Sequence, residues 1–160
     1  DPHKYDLPKP IFNKGGCNLS FAGLKTAVLK ISKNINKEQD KFDLAASFQR
    51  TIEEILLKKT KIAFNEFEKQ TNPKKKVFVI AGGVAANKNI RSMLENLCEQ
   101  ENYQSIFPSK ELCGDNAAMI ALVGLEKYKL KKFDKLDHPT IPRWSLDKNA
   151  IFLKEAGVKL

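Results

Sequence analysis

The stretch Val77-Phe-Val-Ile-Ala-Gly-Gly-Val-Ala-Ala-Asn-Lys-Asn-Ile-Arg91 decides how this chain is read. Val77 to Ile80 has the β-branched and aromatic content, and the short length, of a buried strand. Gly82 and Gly83 follow at once, and the pattern then turns helical, with Ile90, Met93, Leu94 and Leu97 on one inward face. Glycines between a strand and a helix let another group come close to the backbone, because they carry no Cβ. The start of the helix that follows offers unpaired N–H groups and partial positive charge, a setting that suits an anion. Asn87 is expected in the first helical turn. There its amide could meet a sugar hydroxyl, a phosphate or a base edge, or serve as a local cap. The stretch has neither the Gly-Lys-Ser/Thr of a P-loop nor the glycine spacing of a Rossmann turn.

Downstream, Gln104 to Phe107 reads as a second short strand ended by Pro108. The segment Phe107-Pro-Ser-Lys-Glu-Leu-Cys-Gly-Asp-Asn-Ala-Ala-Met-Ile-Ala121 leads from it into a helix that is apolar on several sides from Ala117 to Leu125. Asp115 stands directly before that helix, where its ordinary role is an N-cap carboxylate. Its sharper role is a hard oxygen ligand to a metal. The two histidines, His3 and His138, lie in loop-like, proline-adjacent contexts and read as surface residues. Any further ligands beside Asp115 would therefore have to come from elsewhere.

Upstream, Ser20 is a plausible N-cap for a helix from about Phe21, with Leu24, Ala27, Val28 and Ile31 on one face. The strongest periodicity follows: Phe42, Ala45, Ala46, Phe48, Ile52, Ile55, Leu56, Ile62, Ala63 and Phe67 recur at spacings of three and four. This predicts one long helix, roughly Glu38 to Lys69, closed by Pro73 and the lysine run from Lys74 to Lys76. Residues 1–18 read as an irregular segment and 131–160 as a basic tail, so the whole of 1–160 forms one domain or one lobe. The order of elements indicates an α/β fold, yet only two strands are legible. A free-standing α/β domain normally has more, which points to a partial sheet.

Composition bounds the function classes. No apolar run approaches the roughly 20 residues of a membrane span. The first residues resemble no signal peptide. The three cysteines, Cys17, Cys98 and Cys113, form no C-x-x-C pair, so a disulfide framework or structural zinc is not expected and a cytoplasmic location is. The net charge of +9 suits a polyanionic partner through phosphate contacts, although a plain solvated surface carries the same excess. No nucleophile–base constellation and no His-Glu-x-x-His argue for a protease.

Ala81-Gly-Gly-Val-Ala-Ala-Asn-Lys-Asn-Ile-Arg91, followed by Cys113-Gly-Asp-Asn-Ala-Ala-Met-Ile-Ala121, resembles the C-terminal half of the TsaD family. That family comprises the bacterial Gcp proteins, formerly called O-sialoglycoprotein endopeptidases, and the Kae proteins. Ser20-Phe-Ala-Gly-Leu-Lys-Thr-Ala-Val28 and Phe42-Asp-Leu-Ala-Ala-Ser-Phe-Gln49 resemble two further family segments, and Pro142-Arg-Trp144 is similar to the family's usual ending. The resemblance implies an ASKHA fold, the actin-like ATPase superfamily with RNase H-like lobes, present here in part. It implies transfer of threonylcarbamoyl from threonylcarbamoyl-AMP to N6 of the adenosine 3′ of the anticodon, in tRNAs reading codons that begin with A.

In that scheme Gly82 and Gly83 form the nucleotide-facing turn, Asn87 binds substrate and Asp115 ligates an iron or zinc ion. tRNA and the TsaB-like and TsaE-like proteins are the implied partners. Two departures stand out. Ala22 occupies a position where the family commonly has serine. The family's two metal-binding histidines, spaced His-x-x-x-His, are absent and are expected in a first half, so the chain alone is expected to be inactive. The competing readings are a fragment of another ASKHA small-molecule kinase, which leaves the segment at Asp115 unexplained, and a non-catalytic scaffold subunit of the TsaB type.

Overall fold

A computed structural model describes residues 1–141 of the protein. The tail beyond them, including Pro142-Arg-Trp144, lies outside the described residues. The elements in chain order are α1 (Leu24–Ser32), α2 (Glu38–Thr71), β1 (Val77–Val79), a 3₁₀ turn (Gly83–Ala86), α3 (Lys88–Gln100), β2 (Gln104–Ile106), a second 3₁₀ turn (Lys110–Leu112) and α4 (Ala117–Lys129). β1 and β2 pair in parallel, with Val77 opposite Gln104, Phe78 opposite Ser105 and Val79 opposite Ile106. This β1–α3–β2 unit is the crossover that a parallel pair requires. The architecture is α/β, as expected.

The long helix extends two residues past its predicted end and stops at Asn72, whose backbone is left-handed (φ 42°). Its inner face meets α3 and the sheet in one core of Phe64, Ile90, Leu94, Leu97, Cys98 and Tyr103. Phe64 is the hinge of this packing. It stacks on Tyr103 with ring centroids 3.7 Å apart and meets Phe78 in a T-shaped contact at 5.0 Å. Burial, with Glu68 beside it, pushes the Tyr103 hydroxyl up to about 12. A second core gathers Leu7, Leu24 and Leu44, with Ala27, Val28 and Ile31 packed against it, so the predicted face of α1 is the buried one.

Several expectations are corrected. Ser20 does not cap α1. The helix starts at Leu24 after Gly23, whose φ of 77° sets a left-handed step, while the Ser20 hydroxyl accepts from the Ala22 N–H at 3.2 Å. β1 is not buried: Val77 and Val79 are exposed and only Phe78 turns inward. On α2, Phe42, Phe48 and Phe67 are exposed although they belong to the apolar stripe. Ile55 of the stripe is buried as expected, on an edge where Asp43, Ser47, Thr51 and Lys59 flank it at successive steps of four.

The cause of that last shift is the irregular segment 1–18, which lies along α2 as a strap. Lys4 pairs with Asp40 and Asp43 at 2.5 and 2.8 Å, the Tyr5 N–H donates to the Ser47 hydroxyl at 3.2 Å, and Lys9 pairs with Glu54. Further on, the Lys59 ammonium donates to the carbonyls of Lys14 and Gly16 at 2.7 and 3.2 Å. A buried edge made of polar residues is stable because each group finds a partner in the strap or in its own helix. Ser47 and Thr51 donate to the carbonyls four residues back, both at 2.8 Å.

Candidate functional site

The Gly-Gly turn begins where β1 ends. Gly82 has φ 90° and ψ 168°, a region that only glycine occupies without strain. A Cβ at either Gly82 or Gly83 would meet open space, so the surface above the turn is accessible to a ligand. The backbone then makes one 3₁₀ turn before α3 starts, and this displaces Asn87 from its expected place. It is the N-cap of α3 and not a residue of the first turn. Its Oδ1 accepts from the N–H groups of Asn89 and Ile90 at 3.0 and 3.1 Å. The local-cap reading of Asn87 is therefore met by its oxygen.

Its nitrogen points elsewhere. Asn87 Nδ2 donates to Gln49 Oε1 on α2 at 3.0 Å, and Gln49 Nε2 donates back to Asn87 Oδ1 at 3.2 Å. Beside this pair lies an apolar groove of about 530 Å³ between α1, α2 and the turn, lined by Phe21, Val28, Phe48, Ile52 and Val84, with Lys25 the charged residue on it.

Asp115 is not the cap of α4. That position belongs to Asn116, whose Oδ1 accepts from the Met119 N–H at 3.0 Å. The neighbouring amide takes over the capping, so the Asp115 carboxylate is exposed and has no hydrogen bond or ion pair among the described residues. It sits in a shallow, open hollow with Asn116, Ala117, Met119 and Ile120. An unengaged carboxylate of this kind fits one hard oxygen ligand of a metal. Among the described residues no cluster of three His, Cys, Asp or Glu side chains surrounds it. His3 Nδ1 faces the Arg50 guanidinium at 2.7 Å and His138 Nδ1 faces the Pro139 carbonyl at 2.8 Å, both on the surface.

One side chain ties the two motif segments together. From α3, Arg91 donates through Nε to the Ala85 carbonyl at 3.2 Å, inside the turn after Gly82. Through Nη2 it donates to the Pro108 carbonyl at 3.3 Å and approaches Cys113 Sγ at 3.6 Å. Its guanidinium lies 4.5 Å from the centre of the Phe107 ring. Arg91 thus links the Gly82–Ala86 turn to the loop that presents Asp115. The planar fork of arginine presents its donors in a fixed, spread geometry and stacks on an aromatic ring at the same time, which a compact ammonium does not. Sequence reasoning singled out neither Gln49 nor Arg91. Each ends a quoted motif, but no spacing rule reveals a partner 38 or 17 residues away.

The family model described as TsaD, tRNA N6-adenosine threonylcarbamoyltransferase, matches residues 1–122. A protein of that name from Pelagibacter ubique (strain HTCC1062) is 70% identical over all 160 residues, which amount to 45% of its own length. Another from Rickettsia rickettsii (strain Sheila Smith) is 50% identical over 92% of the chain and 44% of that protein, and one from Rickettsia bellii (strain OSU 85-389) is 48% identical over the same shares. The chain spans less than half the length of these curated relatives. On the match over 122 residues, which carries the Gly-Gly turn, Asn87 and Asp115, the chain belongs to the TsaD family.

Proposed function

We propose that this chain is the C-terminal portion of a two-lobed ASKHA enzyme that transfers threonylcarbamoyl from threonylcarbamoyl-AMP to N6 of the adenosine 3′ of the anticodon. The observation that carries the reading is the Arg91 clamp, which ties a glycine turn open to solvent to a loop with an unengaged carboxylate. Gly82 and Gly83 leave room for the adenylate, and the Asn87 amide meets a polar group on it. Asp115 would supply one oxygen to an iron or zinc ion, which when bound polarises the carbamoyl group for attack by the exocyclic amine. The other ligands and the rest of the pocket lie in the family length that this chain does not span. The net charge of +9 favours tRNA, and TsaB-like and TsaE-like proteins are partners in a cytoplasmic pathway.

The partial-lobe reading is supported by the two-stranded parallel sheet, whose exposed Val77, Val79 and Ile106 are without the cover such sheets ordinarily have among the described residues. α4 supports it as well: Met119, Ile120, Leu122, Val123 and Leu125 are all exposed. Among the described residues no helix is long and apolar enough to cross a membrane.

The decisive experiment replaces the matching 45% of the Pelagibacter relative with residues 1–160 and assays threonylcarbamoyl transfer to an unmodified tRNA. The chimera is expected to be active, residues 1–160 alone inactive, and the Asp115→Ala chimera to lose activity and bound metal together. Full activity of that variant would favour a TsaB-type scaffold role.

A further inference from the structure

The reciprocal amide pair between α2 and the start of α3 has more content than a surface contact. Asn87 Oδ1 accepts three bonds, from the N–H groups of Asn89 and Ile90 and from Gln49 Nε2. Its Nδ2 carries two hydrogens, and one goes to Gln49 Oε1 at 3.0 Å. On the other side, Gln49 Nε2 also donates to Glu53 Oε1 at 2.6 Å, one helical turn along α2. An amide can turn end for end, but here both ends of the chain dictate the same orientation. The Glu53 carboxylate only accepts, so it draws the nitrogen of Gln49. The N–H groups of α3 only donate, so they draw the oxygen of Asn87. Between these fixed ends the two amides can match in one way.

We infer that Gln49 is a positioning residue for Asn87, and that Asn87 keeps one Nδ2–H for its ligand, so that the ligand atom it meets is a hydrogen-bond acceptor. A hydroxyl, phosphate or carbonyl oxygen satisfies this; an N–H group of the ligand does not. The inference rests on the proposed reading of Asn87 as a substrate-binding residue and deepens it. It also gives a chemical role to the segment Phe42-Asp-Leu-Ala-Ala-Ser-Phe-Gln49, whose last residue faces the substrate turn from a different helix.

The test uses the active chimera of the Pelagibacter relative and measures KM for threonylcarbamoyl-AMP, kcat and Tm. Gln49→Met keeps the side-chain length and removes the amide. It is expected to raise KM about tenfold, the scale of one hydrogen bond in a polar site, with kcat within about twofold and Tm unchanged. Gln49→Glu keeps an acceptor for Nδ2 but sets a carboxylate oxygen against the Glu53 carboxylate, so recovery of most of the loss is expected when it is combined with Glu53→Gln, which supplies the donor. Asn87→Asp retains the oxygens that cap α3 but has no N–H, so KM should rise as in Asn87→Ala while Tm stays at the parent value. Gln49→Met combined with Asn87→Ala should be no worse than Asn87→Ala alone.

Two results would overturn the inference and leave the site reading standing. One is an unchanged KM in Gln49→Met when Asn87→Ala raises it. The other is parent-like binding by Asn87→Asp when Asn87→Ala binds poorly. A fall in Tm and kcat together in Gln49→Met, with no recovery in Gln49→Glu combined with Glu53→Gln, would mark Gln49 as merely structural. If Asn87→Ala itself changes neither KM nor kcat, the reading of Asn87 fails and the inference falls with it.

Discussion

α3 and α4 are each 13 residues long, each begins on an asparagine cap, and they have opposite fates. α3 carries its apolar residues on one face and buries Ile90, Leu94, Leu97 and Cys98 against α2 and the sheet. α4 is apolar on several sides from Ala117 to Leu125 and buries none of its residues among the described parts of the chain. An amphipathic helix needs one neighbour, and α3 finds it. A helix apolar on several sides is suited to neighbours on several sides. The difference shows that local cap chemistry forms a helix in either setting, whereas packing depends on how many sides have something to meet.

The largest effect that would break this comparison is in the core. Phe64→Ala should cost residues 1–160 about 3–5 kcal/mol in urea denaturation, since both the stacked Tyr103 and Phe78 in its T-shaped contact lose their partner. Leu122→Ala, on the open face of α4, should stay within about 0.5 kcal/mol. Equal costs at the two positions would mean that α4 is packed in solution. A smaller effect belongs to the clamp. Arg91→Ala is expected to loosen the segment from Pro108 to Asn116 by about 1.5–3 kcal/mol, read as faster amide hydrogen exchange there, while the interior of α2 keeps its protection.

The caps come next. Asn116→Ala removes the cap of a helix that buries none of its residues among the described parts of the chain. It should weaken α4 by about 1 kcal/mol, seen as exchange at Met119, whereas Ser109→Ala, which caps nothing with its side chain, should be silent.

The smallest effect concerns pH and the strap. The Lys4 ammonium and, after it, the Gln39 amide hold the Asp43 carboxyl well below the usual carboxylate range. A lowered folded-state value means that the contribution is fully present above the unfolded value of about 4 and fades as pH falls below it. Protection of the backbone around Tyr5 should therefore fall in acid, below that value, and Asp43→Asn should remove this pH dependence. Loss of protection on raising the pH through neutrality would contradict the assignment.

The elements were largely legible because their signals are local. The stripe on α2, the inward face of α3 and the glycine turn all follow from spacings within a few residues. The errors share one physical origin. The exposed faces of β1, Phe42 and Phe48 follow a sound local pattern, but burial depends on what lies opposite. The strap covers the polar edge of α2 instead. Asp115 and Ser20 were both natural caps by type, and each was displaced by a neighbour, Asn116 in one case and the left-handed step at Gly23 in the other.

What the sequence by itself determined is the order of helices and strands, the motifs that mark the family, and the two segments that carry the candidate chemistry. Only the tertiary structure decided that Asn87 spends its oxygen on α3 and on Gln49, that Arg91 joins the glycine turn to the Asp115 loop, and that Asp115 has no partner among the described residues. The reason is reach. Periodicity and capping act within one or two turns, whereas the Gln49–Asn87 pair spans 38 residues and exists only once α2 and α3 have packed.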